Sequence, residues 1–305
     1  MSTAPQQVTD GDLANNLPGL MRVEYLEDNL YRGEALDYGG GHLFGGHVLG
    51  QSLAAAAATV SPERSTHSLH AYFLRPGKVN RPILYEVDRI RDGKSFATRR
   101  VNAIQGGEAI FTISASFQVQ EHGYHHAATA PHVLGPDELP SEAERQEEAL
   151  RELPEALRAL VVRTRPVEVK PVDPVHPLHP EVAPPHHAFW FRFMPEPEVV
   201  NQSEAQAMLA YASDLGALGT AIRPHAVTYL SGQVQMASLD HALWFHAPIA
   251  VDDWFLYVVD SPWAGNARGL VQGQIFARDG QLIASVAQEG LIRPRPARTS
   301  SATSG

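Results

Sequence analysis

Two hydrophobic periods alternate along the chain, and the alternation occurs twice. Gly45-Gly-His-Val-Leu-Gly-Gln-Ser-Leu-Ala-Ala-Ala-Ala-Ala58 is alanine-rich with glycines at its start, the composition of a helix whose first N–H groups lack partners. Further on, Met208, Tyr211, Leu215, Leu218 and Ile222 recur at steps of three and four, one face of a second helix. Each helix precedes a run of strand-like segments. His67-Ser-Leu-His-Ala-Tyr-Phe-Leu-Arg-Pro-Gly77 answers to Ser238-Leu-Asp-His-Ala-Leu-Trp-Phe-His-Ala-Pro248. Residues 82–87 answer to 254–259, 96–104 to 268–277, and 108–118 to 281–293. Glycine turns at Gln105-Gly-Gly107 and Arg278-Asp-Gly280 precede the last pair. The offset is about 172 residues throughout. One helix followed by long antiparallel strands, occurring twice, predicts an α+β fold in which each half wraps a sheet around a single helix.

The repeat divides the chain into a loose N-terminus (1–20), a first domain (21–121), a linker (122–187), a second domain (188–295) and a loose tail (296–305). Within the linker, Ser141 to Val162 is charged with Leu and Ala at helical spacing, while Val167 to His187 is rich in proline and histidine. With 305 residues, both domains have room for an ordinary core. A formal charge of −10 argues against nucleic acid or an anionic membrane as partner, so any phosphate-bearing ligand needs a local basic cluster. The absence of cysteine removes disulfides, thiolate nucleophiles and thiolate metal sites, and fits a reducing cytoplasm. No segment has the length of apolar sequence that a membrane helix needs.

Three polar residues stand where the pattern expects apolar ones. Asp214 borders the apolar stripe of the second helix. Gln288 interrupts the inward alternation of Leu282, Ala284, Val286, Gly290 and Ile292, and a half-buried strand would turn its amide inward. Ser238 takes the inward face of Val234 and Met236. Each has an ordinary structural reading: a capping carboxylate, an amide bonded to backbone, a strand serine. The halves differ, however. Ala115 occupies the position of Gln288 when the strands are aligned on Gly107 and Gly280, and the first helix has no carboxylate. Only the second half can hold such a site.

Ala212-Ser-Asp-Leu, Ala237-Ser-Leu-Asp-His-Ala-Leu-Trp-Phe-His and Ala284-Ser-Val-Ala-Gln-Glu-Gly resemble the acyl-CoA thioesterase II family, the double hot-dog thioesterases. His70-Ala-Tyr-Phe-Leu-Arg-Pro-Gly77 and Arg91-Asp-Gly-Lys-Ser-Phe-Ala-Thr-Arg-Arg-Val101 carry the likeness in the first half, and the match runs from about Tyr31 to Arg293. The resemblance implies two tandem hot-dog domains, hydrolysis of fatty acyl-CoA without metal or cofactor, and a water held by Asp214, Ser238 and Gln288. Ser238 stands where some members have Thr. It also implies a homo-oligomer that pairs through sheet edges.

Gly45 and Gly46 are candidates for presenting helix N-terminal N–H groups to the thioester carbonyl, with close helix packing as the alternative. For the nucleotide of CoA the basic candidates are Arg99 and Arg268, with Arg91, Lys94 and Arg100 beside them. Two rival functions remain. A hot-dog enoyl-CoA hydratase would use an Asp and a His at the spacing of Asp37 and His42, though Tyr-Gly-Gly-Gly between them lacks the Asn and Pro of that motif. A non-catalytic acyl-CoA-binding protein would not need Asp214 and Gln288. His176, His179, His186 and His187 read as part of a proline-rich linker rather than as metal ligands.

Overall fold

In the computed structural model, which describes residues 16–37, 41–153, 155, 158, 166–176, 179–195 and 200–295, the two predicted units share one antiparallel sheet. The first half comprises α1 (Leu17–Met21), β1 (Glu24–Glu27), β2 (Leu30–Gly33), α2 (Gly45–Ala57), β3 (Arg64–Phe73), β4 (Ile83–Asp92), β5 (Phe96–Gln105) and β6 (Glu108–Val119). Then follow α3 (Glu142–Glu152), β7 (Val167–Pro171), β8 (His186–Phe193), α4 (Gln202–Ser213), a 3-10 segment (Ala217–His225), β9 (Val234–Ser238), β10 (Asp240–Phe245), β11 (Phe255–Gly265), β12 (Arg268–Ala277) and β13 (Leu282–Pro294). Thirteen strands run in the order β1-β2-β4-β5-β6-β3-β10-β13-β12-β11-β8-β7, with β9 added beside β13. The halves join where β3 pairs with β10, Tyr72 opposite Asp240 and Ser68 opposite Trp244.

The two helices lie against each other inside the curved sheet. Gly46 and Gly50, one turn apart on α2, face the backbone of α4. A Cβ on Gly46 would stand 2.3 Å from the Tyr211 carbonyl oxygen, and one on Gly50 would stand 2.7 Å from that of Ala207. Only glycine permits so close an antiparallel crossing. One apolar core runs through both halves, from Leu49 and Leu53 on α2 to Met208 and Leu209 on α4 and onto the inward residues of the strands. A second cluster, Trp190, Trp254, Leu256 and Phe276, lies on the outer face, where Ala130, Val133 and Leu139 of the connecting segment cover it.

Several boundaries differ from the sequence expectation. Residues 1–15 and 296–305 lie outside the described residues, but Leu17–Met21 is not loose. It forms a helix capped by Asn16, with Leu17, Leu20 and Met21 buried. Apolar residues at one-turn spacing next to the α2–α4 crossing explain the docking. The connecting segment is also more structured than a linker, because β7 and the start of β8 extend the sheet. Among the described residues no helix is long and apolar enough to cross a membrane.

Candidate active site

Helix α4 opens with a reciprocal cap, Asn201 Oδ1 accepting the Glu204 N–H at 3.0 Å and Glu204 Oε2 accepting the Asn201 N–H at 3.1 Å. It ends at Ser213, earlier than the apolar stripe suggests. Gly216 takes a left-handed φ of 69°, and the chain continues as a 3-10 segment. Asp214 is therefore the C-terminal cap of the helix, not a residue of its interior. A carboxylate at a helix C-terminus meets the negative end of the dipole, which makes it an unfavourable cap unless other groups hold it.

Those groups come from three other elements. Gln288 of β13 donates both amide hydrogens, to Asp214 Oδ1 at 2.7 Å and to Ser238 Oγ at 2.8 Å. The Ser238 hydroxyl is bonded to the Asp214 carboxylate in turn, as is the backbone N–H of Gly46 at the start of α2. Ser238 reaches the site because the segment that forms one strand in the first half is broken at Leu239 in the second, and β9 pairs with β13 through Ser238 opposite Gly290. Gln288 is 1% exposed, and its Oε1 finds no partner among the described residues. Burial pushes the Asp214 carboxyl up to about 6, against the opposing bonds from Gln288, Gly46 and Ser238.

Behind Asp214 lies a second buried group that the sequence reading missed. His241 points inward from β10, with Leu243 and Phe245, and its Nε2 is 2.9 Å from Ser213 Oγ. Ser213 Oγ donates to the Ala210 carbonyl at 2.8 Å, so the histidine Nε2–H is the donor to it. Burial pushes the imidazole down to about 3, leaving it neutral. Tyr257 donates its hydroxyl to the Ser213 carbonyl at 3.0 Å, and burial together with the Asp214 charge holds its phenol well above the usual range. The available signal was period two: His241 occupies an inward position in Asp240–Phe245 just as Gln288 does in its strand.

The glycines serve the site differently from the expectation. The Gly46 N–H is directed to Asp214 rather than to an incoming carbonyl. Gly45 makes room, since a Cβ there would lie 2.6 Å from Asp214 Oδ2 and 2.8 Å from the Phe73 ring. Arg99 is no ligand for CoA. It is 1% exposed and all five of its N–H groups are committed. Nε donates to Thr59 Oγ1 at 2.8 Å, Nη1 to the Arg91 and Thr98 carbonyls at 3.0 Å, and Nη2 to the Thr59 carbonyl at 3.1 Å and Asp92 at 2.6 Å. Arg268 lies half-exposed, 3.3 Å from Glu289 and over the Trp263 ring. Arg91, Lys94 and Arg100 are exposed, with Arg100 paired to Asp88.

Of the remaining polar residues, Asp37 and His42 are both exposed, and Asp37 accepts the Gly41 N–H at 3.3 Å. His186 and His187 pair with Asp260 and Asp173. His176 and His179 come together with Glu152 at the surface, but His176 Nδ1 accepts the His179 backbone N–H at 3.0 Å. That bond fixes the proton on Nε2, the nitrogen turned to Glu152, where a metal would need a lone pair.

A half-buried carboxylate and hydroxyl joined by a buried amide at the seam of paired helix-and-sheet units define a double hot-dog protein with a polar site in one half. A family model described as acyl-CoA thioesterase matches residues 157–291, and one described as acyl-CoA thioesterase N-terminal domain matches residues 35–118. The chain is 39% identical over 282 residues to acyl-CoA thioesterase 2 of Haemophilus influenzae, spanning 92% of this chain and 98% of that protein. It is 39% identical over 295 residues to acyl-coenzyme A thioesterase 8 of Homo sapiens, spanning 94% and 92%. A solved acyl-CoA thioesterase II from Mycobacterium marinum shares 38% identity with a TM-score of 0.74, over 92% of this chain and 98% of that one. A hot-dog protein of unknown function from Alicyclobacillus acidocaldarius shares the fold at a TM-score of 0.71 and 20% identity, over 92% and 98%. The chain belongs to the acyl-CoA thioesterase family of thioester hydrolases, in keeping with the motifs in its sequence.

Proposed function

We propose that the chain hydrolyses fatty acyl-CoA to free fatty acid and CoA, using a water held by Asp214, Ser238 and Gln288. The observation that carries this reading is a carboxylate raised to about 6, bonded to a buried amide whose Oε1 has no partner among the described residues. Asp214 and Gln288 Oε1 are two acceptors for the two hydrogens of one water, so its lone pair is left for the acyl carbon. At neutral pH Asp214 is still ionised, yet it is a stronger base than a free aspartate. As the water oxygen bonds to the acyl carbon, one proton passes to Asp214. The carbon–sulfur bond then breaks, and the proton moves to the departing sulfur, whose ordinary thiol pKa of about 8.5 makes it a ready leaving group. The Ser238 hydroxyl and the Gly46 N–H hold Asp214 in place while its charge changes.

Thiol release from a series of acyl-CoAs tests this, with the parent beside Asp214→Asn and Gln288→Ala and with enoyl-CoA hydration followed in parallel. Release by the parent, reduced about a hundredfold or more in both folded variants, is the expected result. Hydration without release, lost on Asp37→Ala, would replace the hydrolase by a lyase. Tight acyl-CoA binding without turnover would leave a carrier.

A further inference from the structure

A cavity of about 270 Å³ opens between the connecting segment and the second half. Its walls include Val175, Gly216, Gly219, Ile222, Val227 and Met236, with prolines of the connecting segment opposite them. Met236 precedes Ser238 by two residues on the same face of β9, and Gly216 follows Asp214 by two. Two residues of extended chain span about 7 Å, so the wall begins next to two of the three site residues. The lining also carries Arg145, His187, Arg223 and Glu181. Each base is already engaged: Arg223 Nη2 lies 2.7 Å from Asp173, His187 Nδ1 lies 2.8 Å from the same carboxylate, and Arg145 Nη1 donates to the Val169 carbonyl at 3.1 Å. Bases already bonded to Asp173 and to a backbone carbonyl, beside the Glu181 carboxylate, offer little to the phosphates of CoA, whereas the aliphatic wall suits hydrocarbon.

We propose that this cavity receives the acyl chain of the substrate, and that the connecting segment, through Val175 and its prolines, forms the outer wall that limits chain length. The inference rests on the hydrolysis reading above and adds the place where specificity is set. An aliphatic cavity of about 270 Å³ has room for a hydrocarbon chain of limited length.

Gly219 offers a clean test. A Cβ built there meets nothing within 4 Å and its backbone is outside the left-handed region, so a side chain enters the open space without displacing the fold. The experiment compares kcat/KM for butyryl-, decanoyl- and palmitoyl-CoA in the parent, Gly219→Leu and Met236→Ala, with thermal melting as the check on folding. In the parent, kcat/KM should rise from butyryl to decanoyl and then level off. In Gly219→Leu the decanoyl to butyryl ratio should fall at least tenfold, and in Met236→Ala the preference should shift toward palmitoyl. An unchanged ratio in both folded variants overturns the proposal. An equal fall for every chain length also overturns it, placing the CoA moiety in the cavity instead. If the parent releases CoA from none of the three, it is the hydrolysis reading that fails.

Discussion

On β12 and β13 of the second half, Val271 stands opposite Gln288; on the matching strands of the first half, β5 and β6, Arg99 stands opposite Ala115. The polar group has changed strand and changed purpose. In the second half an amide reaches a partly buried carboxylate at the end of α4 and keeps one acceptor without a partner among the described residues. In the first half a guanidinium reaches the end of α2, where both the hydroxyl and the carbonyl of Thr59 take its hydrogens, and nothing on it is left over. The helix starts differ as well. Gly46 of α2 turns its N–H to Asp214, whereas Gln206 of α4 locks onto the backbone of Thr66 in β3, accepting from its N–H at 3.2 Å and donating to its carbonyl at 2.8 Å. Two copies of one architecture thus hold an unsaturated polar cluster in one place and a saturated one in the other. The first can bind and react; the second can only stabilise.

Asp214→Asn should break the contrast most deeply, lowering kcat by roughly 10²- to 10⁴-fold in a thiol-release assay. Arg99→Leu should do the reverse. Leaving Thr59 and the Arg91 carbonyl without donors should cost about 3 kcal/mol in urea unfolding, while kcat/KM measured below the melting temperature stays within a few fold of the parent. A comparable activity loss in Arg99→Leu would show that the first half is not merely structural.

Asp214→Asn should also stabilise the fold. The Asp214 carboxyl has its folded value raised, so its stabilising contribution is complete below the unfolded value of 3.8 and is lost as pH rises through about 6. The variant should therefore gain about 3 kcal/mol over the parent at pH 8 and nothing below pH 4, measured by urea unfolding at both pH values. The same titration predicts that kcat/KM of the parent climbs with pH through about 6 and then levels, and a flat profile from pH 5 to 8 would remove Asp214 as the base. The smallest effect is expected at Ser238. Replacement by Thr keeps the hydroxyl and should change kcat less than threefold or so, whereas Ala should cost on the order of tenfold by deleting one bond to the carboxylate.

Much of the site was readable in advance because its signals were departures from a period. Gln288 sits at an apolar position of an alternating strand where the first half has Ala115, and the first helix has no carboxylate to match Asp214. Helix α2 begins at Gly45 and β12 spans Arg268–Ala277, as the pattern expected. The misreadings have a common origin. Continuing the stripe from Met208 to Ile222 placed Asp214 within a helix, since Leu218 and Ile222 are buried whether the backbone is α or 3-10 and the left-handed turn at Gly216 leaves the spacing unbroken. Arg99 read as a surface cation because a lone arginine in a strand carries no mark of the four backbone and side-chain acceptors that enclose it with Asp92.

The sequence by itself determined the duplication, the helix and strand periods, and the confinement of a polar site to the second half, because each depends on neighbours a few residues apart. Tertiary structure alone decided that Gln288 meets Asp214 across 74 residues and Ser238 across 50. It also decided that a glycine from the other half donates to that carboxylate and that Arg99 is sealed inside. The basicity of Asp214 is a property of this packing: a carboxyl group is moved by how much water its surroundings exclude and which donors they bring, and those surroundings assemble from β9, β13, α2 and α4 only when the chain has folded.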